Sequence, residues 1–134
     1  MLHIQKRQHL GVALLALGCL AGCGERTGTV CTESFASASA FVVDSLGAPA
    51  GTAVITSVLL RTGDTLAITS LIDHVPGAYT IVDDASVHLI RTTGDSILVR
   101  AVQGAATAEA IFVFDAPGGC HINRVSGPDT LVLH

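Results

Sequence analysis

The chain has 134 residues, with seven basic and eleven acidic side chains, a formal charge of −4, and a composition that is 13% charged and 49% hydrophobic. That is about one domain in length, too apolar for a disordered segment and too poor in Lys and Arg to track a phosphate backbone. Nucleic acid is not expected as a partner.

The amino end reads as an address. Residues 1–9 carry Lys6 and Arg7 with no acid, and residues 10–22 carry no charge at all. Those thirteen uncharged residues fall short of the roughly 20 that a bilayer-crossing helix requires, which points to a cleaved export signal. Leu20-Ala21-Gly22-Cys23 resembles the lipobox of bacterial lipoprotein signal peptides residue for residue. The resemblance implies that residues 1–22 are removed and that Cys23 becomes the first mature residue, carrying a diacylglyceryl thioether. An ordinary signal peptide with an incidental Cys and an uncleaved membrane anchor are the alternatives. Gly24, standing where an inner-membrane retention signal has Asp, implies the outer membrane. Two or more acyl chains make attachment long-lived where one does not, and the absence of a polybasic patch leaves the anchoring to the lipid. Residues 23–30 then form a short tether and residues 31–134 the domain.

From Cys23 onward, 34 of 112 residues are Val, Ile or Thr, against 9 Leu, 3 Glu, 1 Gln and no Lys or Met. β-branched side chains are stiff at χ1 and pack well on a pleated surface, so the composition leans to sheet. Short apolar or alternating runs predict strands near 36–43, 52–61, 65–72, 78–83, 86–92, 96–103, 107–114, 119–124 and 130–133. Asp44 to Pro49 predicts a turn, Gly63-Asp64 and Gly94-Asp95 hairpin tips, and Ala116-Pro117-Gly118-Gly119 a loop. Strands at this spacing suggest an antiparallel β-sandwich or barrel. Arg61-Thr62-Gly63-Asp64 and Arg91-Thr92-Thr93-Gly94-Asp95 look alike; a shared turn chemistry, with Gly at positive φ and Asp bonding nearby backbone, accounts for them better than a duplicated ligand loop.

Cys19 would leave with the signal and Cys23 would be consumed by lipid, leaving Cys31 and Cys120. In an exported compartment these are expected to form a disulfide closing most of the domain; two free thiols or half of a metal site are the alternatives.

Phe41-Val42-Val43-Asp44-Ser45-Leu46-Gly47-Ala48-Pro49, continuing to Val54, resembles the opening hairpin of carboxypeptidase regulatory-like domains, and Gly77-Ala78-Tyr79 resembles their Gly-x-Tyr segment. Gly119-Cys120-His121-Ile122 is similar to the Cys-His endings of secreted members of this sandwich type. The resemblance implies a transthyretin-like β-sandwich of about seven strands, usually non-catalytic. It does not imply peptidase chemistry: His74, His88 and His121 are followed three residues later by Gly77, Arg91 and Arg124, where a zinc carboxypeptidase needs Glu. The chain also ends Leu-Val-Leu-His rather than Tyr-Arg-Gly-Ser, the ending of the transthyretin-family hydrolases.

The best metal candidate is Asp83, Asp84 and His88, with Asp73 and His74 upstream. A solvated turn at 83–85 with an exposed His88 is the competing and preferred reading, so neither metal nor cofactor is expected. Ser, His and Asp are all present, but no Gly-x-Ser-x-Gly elbow occurs, and a triad is a matter of geometry rather than inventory. Phe35, Phe41, Tyr79, Phe112 and Phe114 are most simply core. Together these features predict a membrane-anchored exported lipoprotein, a non-catalytic binding or assembly module of the cell envelope whose partner is an envelope protein or polysaccharide. A small envelope hydrolase or metal-dependent enzyme using His74, His88 or His121 is the alternative.

Overall fold

The computed structural model describes residues 29–69 and 75–134. The expected signal peptide, Cys23, most of the tether, Asp73 and His74 lie outside the described residues. The rest is mostly β, arranged as two sheets in a sandwich-like fold. Its strands are β1 (Ser37–Val43), β2 (Val54–Leu59), β3 (Ala78–Asp83), β4 (Asp95–Gln103), β5 (Ala106–Asp115), β6 (Asn123–Ser126) and β7 (Thr130–Val132). One sheet has the order β3-β1-β7 and the other β2-β4-β5-β6.

Alternation builds the core. In β4 the inward residues Ile97, Val99 and Ala101 are buried, while on the alternate positions Ser96 and Arg100 are exposed and Leu98 is half-buried. They meet Phe112 and Phe114 of β5, Leu59 of β2, and Val42, Ile81 and Leu131 from the three-stranded sheet in one apolar cluster. Phe112 and Phe114, with ring centroids 6.4 Å apart, are its two largest members. Tyr79 is half-buried, and its hydroxyl donates to the Ala50 carbonyl and accepts from the Ala53 amide. Phe35 and Phe41, expected in the core, are instead 56% and 46% exposed. Phe41 faces outward because Val42, its neighbour on β1, takes the inward position.

Several expectations need correcting. The run 86–92 is not a strand: residues Asp84–Leu89 form a 3-10 helix whose N-cap, Asp83, accepts a hydrogen bond from the Ala85 amide. A short apolar run has no period of its own to choose between strand and helix, and the capping carboxylate decides it. Of the expected run 65–72, residues 65–69 are described, and among these the strand is reduced to a bridge between Thr65 and Val58. Beyond it, the Thr69 amide goes to the Asp83 carboxylate and the Ala67 carbonyl to the Ser86 hydroxyl, so side chains replace a ladder. The run 119–124 begins as a 3-10 turn, Pro117–Gly119, in which Gly118 and Gly119 have φ of 76° and 72°, and the strand starts only at Asn123. Gly94-Asp95 joins the 3-10 helix to β4 rather than tipping a hairpin. Finally, the fold is not wholly antiparallel, because β7 runs parallel to β1. The chain leaves β6 in one sheet and crosses at Gly127-Pro128-Asp129 to the other, where it runs alongside β1 in the same direction. Arg124 braces this crossing, donating to the Gly127 carbonyl and the Asp129 carboxylate and lying 5.1 Å from the Phe112 ring centroid.

Candidate functional site

Three places concentrate chemistry. The first is the clasp that holds the start of the domain to its body. Cys31 and Cys120 form a disulfide across 89 residues, with Cα atoms 5.3 Å apart. The bridge sets the next residue of each segment side by side: Thr32 Oγ1 lies 2.8 Å from His121 Nε2. His121 Nδ1 lies 2.6 Å from Asp84 Oδ2, and Ser34 Oγ lies 2.8 Å from Thr32 Oγ1. Asp84 is held from both sides, accepting from the Ala36 amide at 2.7 Å and the Ile122 amide at 2.9 Å, while its own amide donates to the Ala36 carbonyl. Burial raises the Asp84 carboxyl, but the hydrogen bonds from Ala36, His121 and Ile122 outweigh it and leave the group below its ordinary value. The side chain of Asp84 is 8% exposed and that of His121 30%, and both hydroxyls are on the surface.

Proton placement follows from these contacts. An ionised Asp84 only accepts, so His121 Nδ1 must carry a proton. With a neutral imidazole, Nε2 is then an acceptor, Thr32 donates to it, and Ser34 donates to Thr32. Protonating Nε2 reverses both hydroxyl bonds without moving a heavy atom.

The second place is the meeting of the two similar turns. Asp95, with its side chain 1% exposed, accepts from Arg61 Nε at 3.0 Å and Nη2 at 3.2 Å, and from Arg91 N at 2.9 Å and Nε at 3.0 Å. The bond from Arg61 leads the effects that hold the Asp95 carboxyl below its usual range, against a desolvation that raises it. Both guanidinium groups also bind carbonyls, of Leu89 and Gly94. The carboxylate is thus engaged as a brace between two loops rather than offered to a ligand.

The third is an open seam between the sheets. Thr107 of β5 and His134, just past β7, exchange both backbone bonds, at 3.0 and 3.1 Å. Strand alternation then turns the backbone groups of Glu109 and Ile111 the same way as those of Thr107, away from β4. On β7 the bonds at Asp129 and Leu133 face β1, so the backbone of Thr130 and Val132 faces β5. β6 reaches β5 only at Val113–Asp115. Between these edges the strands splay into a groove of about 470 Å³, lined by Glu109, Ala110, Pro128, Thr130, Val132 and His134 among others. Val132 of the lining is an exposed apolar side chain, as are Phe41, paired with the lining residue Thr130, and Ile111, next in chain to the lining residue Ala110.

Of the residues singled out in the sequence, Cys31 and Cys120 are joined, and His121 is beside a carboxylate. His88 is exposed on the 3-10 helix. Asp83 is buried, accepting from Ala85 and Thr69, and Asp84 is committed to the clasp, so the proposed set of Asp83, Asp84 and His88 does not converge. Among the described residues no three His, Cys, Asp or Glu side chains form a metal-holding group. Sequence reasoning missed Thr32 and Asp84 as partners of His121, and Ser34 as the partner of Thr32. A usable signal was present, since pairing Cys31 with Cys120 already brings their neighbours Thr32 and His121 together.

No protein-family model matches this chain, and no match was found among curated proteins or solved structures.

Proposed function

We propose that the protein is an exported lipoprotein, anchored in the membrane through lipid on Cys23 and most consistent with the outer membrane, whose domain is a binding or assembly module of the cell envelope. Its finer architecture is taken to be that of the transthyretin-like, carboxypeptidase regulatory-like sandwiches. The seam between β5 and β7 is the observation that carries the binding role. Two strand edges with backbone donors and acceptors aimed into one groove match an extended polypeptide added as a strand, and the exposed Phe41, Ile111 and Val132 offer it apolar contact. An envelope protein is therefore favoured over a polysaccharide as partner. The disulfide clasp fits the tethered reading, because it fixes the point where a membrane tether would enter the domain to the body of the fold.

The test is crosslinking in intact cells, followed by identification of what co-purifies from the detergent-extracted envelope. A Cys23→Ser form and a double Ile111→Lys, Val132→Lys variant serve as comparisons. Both lysine substitutions are at exposed positions, where effects on stability are small. A specific protein partner recovered with the native chain and lost from the double variant is expected. Equal recovery from the double variant would dismiss the seam, and recovery of the chain alone would dismiss the binding role.

A further inference from the structure

We propose that Thr32, His121 and Asp84 form a reactive hydroxyl centre that accepts acyl groups from neutral carboxylic esters, a chemical activity separate from binding at the seam. A hydroxyl 2.8 Å from one imidazole nitrogen, with a buried carboxylate 2.6 Å from the other, is the arrangement that nucleophilic acyl transfer requires. Three features set it apart from a casual surface contact. The carboxylate is ionised and immobile, because two backbone amides hold it independently of the histidine. The tautomer it imposes leaves Nε2 free to accept a proton and directs the Thr32 hydroxyl at it. The disulfide fixes the segments that carry nucleophile and base at a single residue's distance.

In the forward step Thr32 Oγ1 attacks the ester carbonyl carbon while its proton passes to His121 Nε2. Asp84 stabilises the resulting imidazolium through Nδ1. The carbonyl π electrons move onto oxygen. Ser34 Oγ, 2.8 Å from the attacking oxygen, is placed to turn its hydroxyl towards that oxyanion. Collapse re-forms the carbonyl and expels the alcohol, which takes the proton from Nε2 and leaves an ester on Thr32. Water, deprotonated by the same nitrogen, then releases the acid and restores the hydroxyl. The net change is ester plus water to acid plus alcohol.

The surroundings define the substrate class. Both hydroxyls are exposed, so the ester can be borne by a bulky molecule. Glu33 between the two hydroxyl residues and Asp84 behind the imidazole make anionic acyl donors unfavourable. A small neutral acyl group, such as an O-acetyl substituent of a larger carrier, fits best.

The experiment treats the full, disulfide-bonded chain, extracted in detergent, with p-nitrophenyl acetate, following nitrophenolate release and mapping the acetyl group by peptide mass. The expected result is a burst of about one equivalent with the label on Thr32. The His121→Gln variant should slow the burst at least ~100-fold, Thr32→Ser should retain it, and Thr32→Val should abolish it. Retained thermal unfolding temperature and an intact disulfide in His121→Gln and Thr32→Val separate lost chemistry from lost fold. Absence of a burst, acetylation spread over other residues, or a His121→Gln rate equal to the native one would overturn the proposal. None of these outcomes bears on partner recovery at the seam.

Discussion

Replacing Asp95 with Asn keeps the volume and removes the charge shared by Arg61 and Arg91. In the native chain the carboxylate takes two bonds from Arg61 and three contacts from Arg91, one of them from a backbone amide. The guanidinium groups are 39% and 56% exposed, so water recovers much of what they lose. The interior carboxylate does not have that option. A fully broken buried pair costs about 3–5 kcal/mol; discounting for the exposed partners and for an amide that keeps one acceptor oxygen gives about 2 kcal/mol. For a domain of about 100 residues that lowers Tm by roughly 8–16 °C. Urea unfolding followed by circular dichroism should show a lower midpoint with unchanged slope.

The pH dependence has a definite sign. The folded Asp95 carboxyl lies below its ordinary value of 3.8, so its contribution is fully present above that value and is lost as pH falls through the lower folded one. The native protein should therefore lose stability in strong acid, and Asp95→Asn should lose less over the same range. A loss under about 0.5 kcal/mol, within the range of ordinary surface substitutions, with an acid profile identical to the native one, would show that backbone rather than charge holds the two turns together.

Two more tests address the covalent and steric supports. A Cys31→Ser, Cys120→Ser double variant opens a loop of 89 residues and should lose up to about 4–5 kcal/mol in urea unfolding on the chain-entropy account; a change under 1 kcal/mol would mean that the hydrogen bonds of Asp84 hold the segment unaided. Gly127 has φ of 134°, and a Cβ there would run into the Phe112 ring, so Gly127→Ala should destabilise by at least about 2 kcal/mol, with altered near-ultraviolet dichroism from the core phenylalanines. A neutral effect would mean that the crossing from β6 to β7 is free to shift.

The sheet content, the turn at Asp44–Pro49, the buried faces of β4 and β5 and the Cys31–Cys120 pair were legible in the chain, because each rests on local rules: β-branching, alternation, glycine at turns, and the count of cysteines available to pair. The strand runs fail where local rules tie. Val87 to Ile90 is as apolar as an edge strand, and only the neighbouring carboxylate of Asp83 makes it a helix. Phe41 is as hydrophobic as Phe112, and only its parity on β1 puts it outside.

The candidate sites show the same division more sharply. His121 stood out in the sequence, but its partners Asp84 and Thr32 are 37 and 89 residues away, and no periodicity links them. The seam cannot be read from any segment, since it exists because β7 joins β1 in parallel and the chain just past it, at His134, bonds the β5 backbone at Thr107. By itself, then, the sequence determined that this is a β protein in which Cys31 and Cys120 are available to pair. Tertiary structure alone decided which hydroxyl faces the imidazole and which strand edges stay open, because both depend on long-range packing that brings distant residues together.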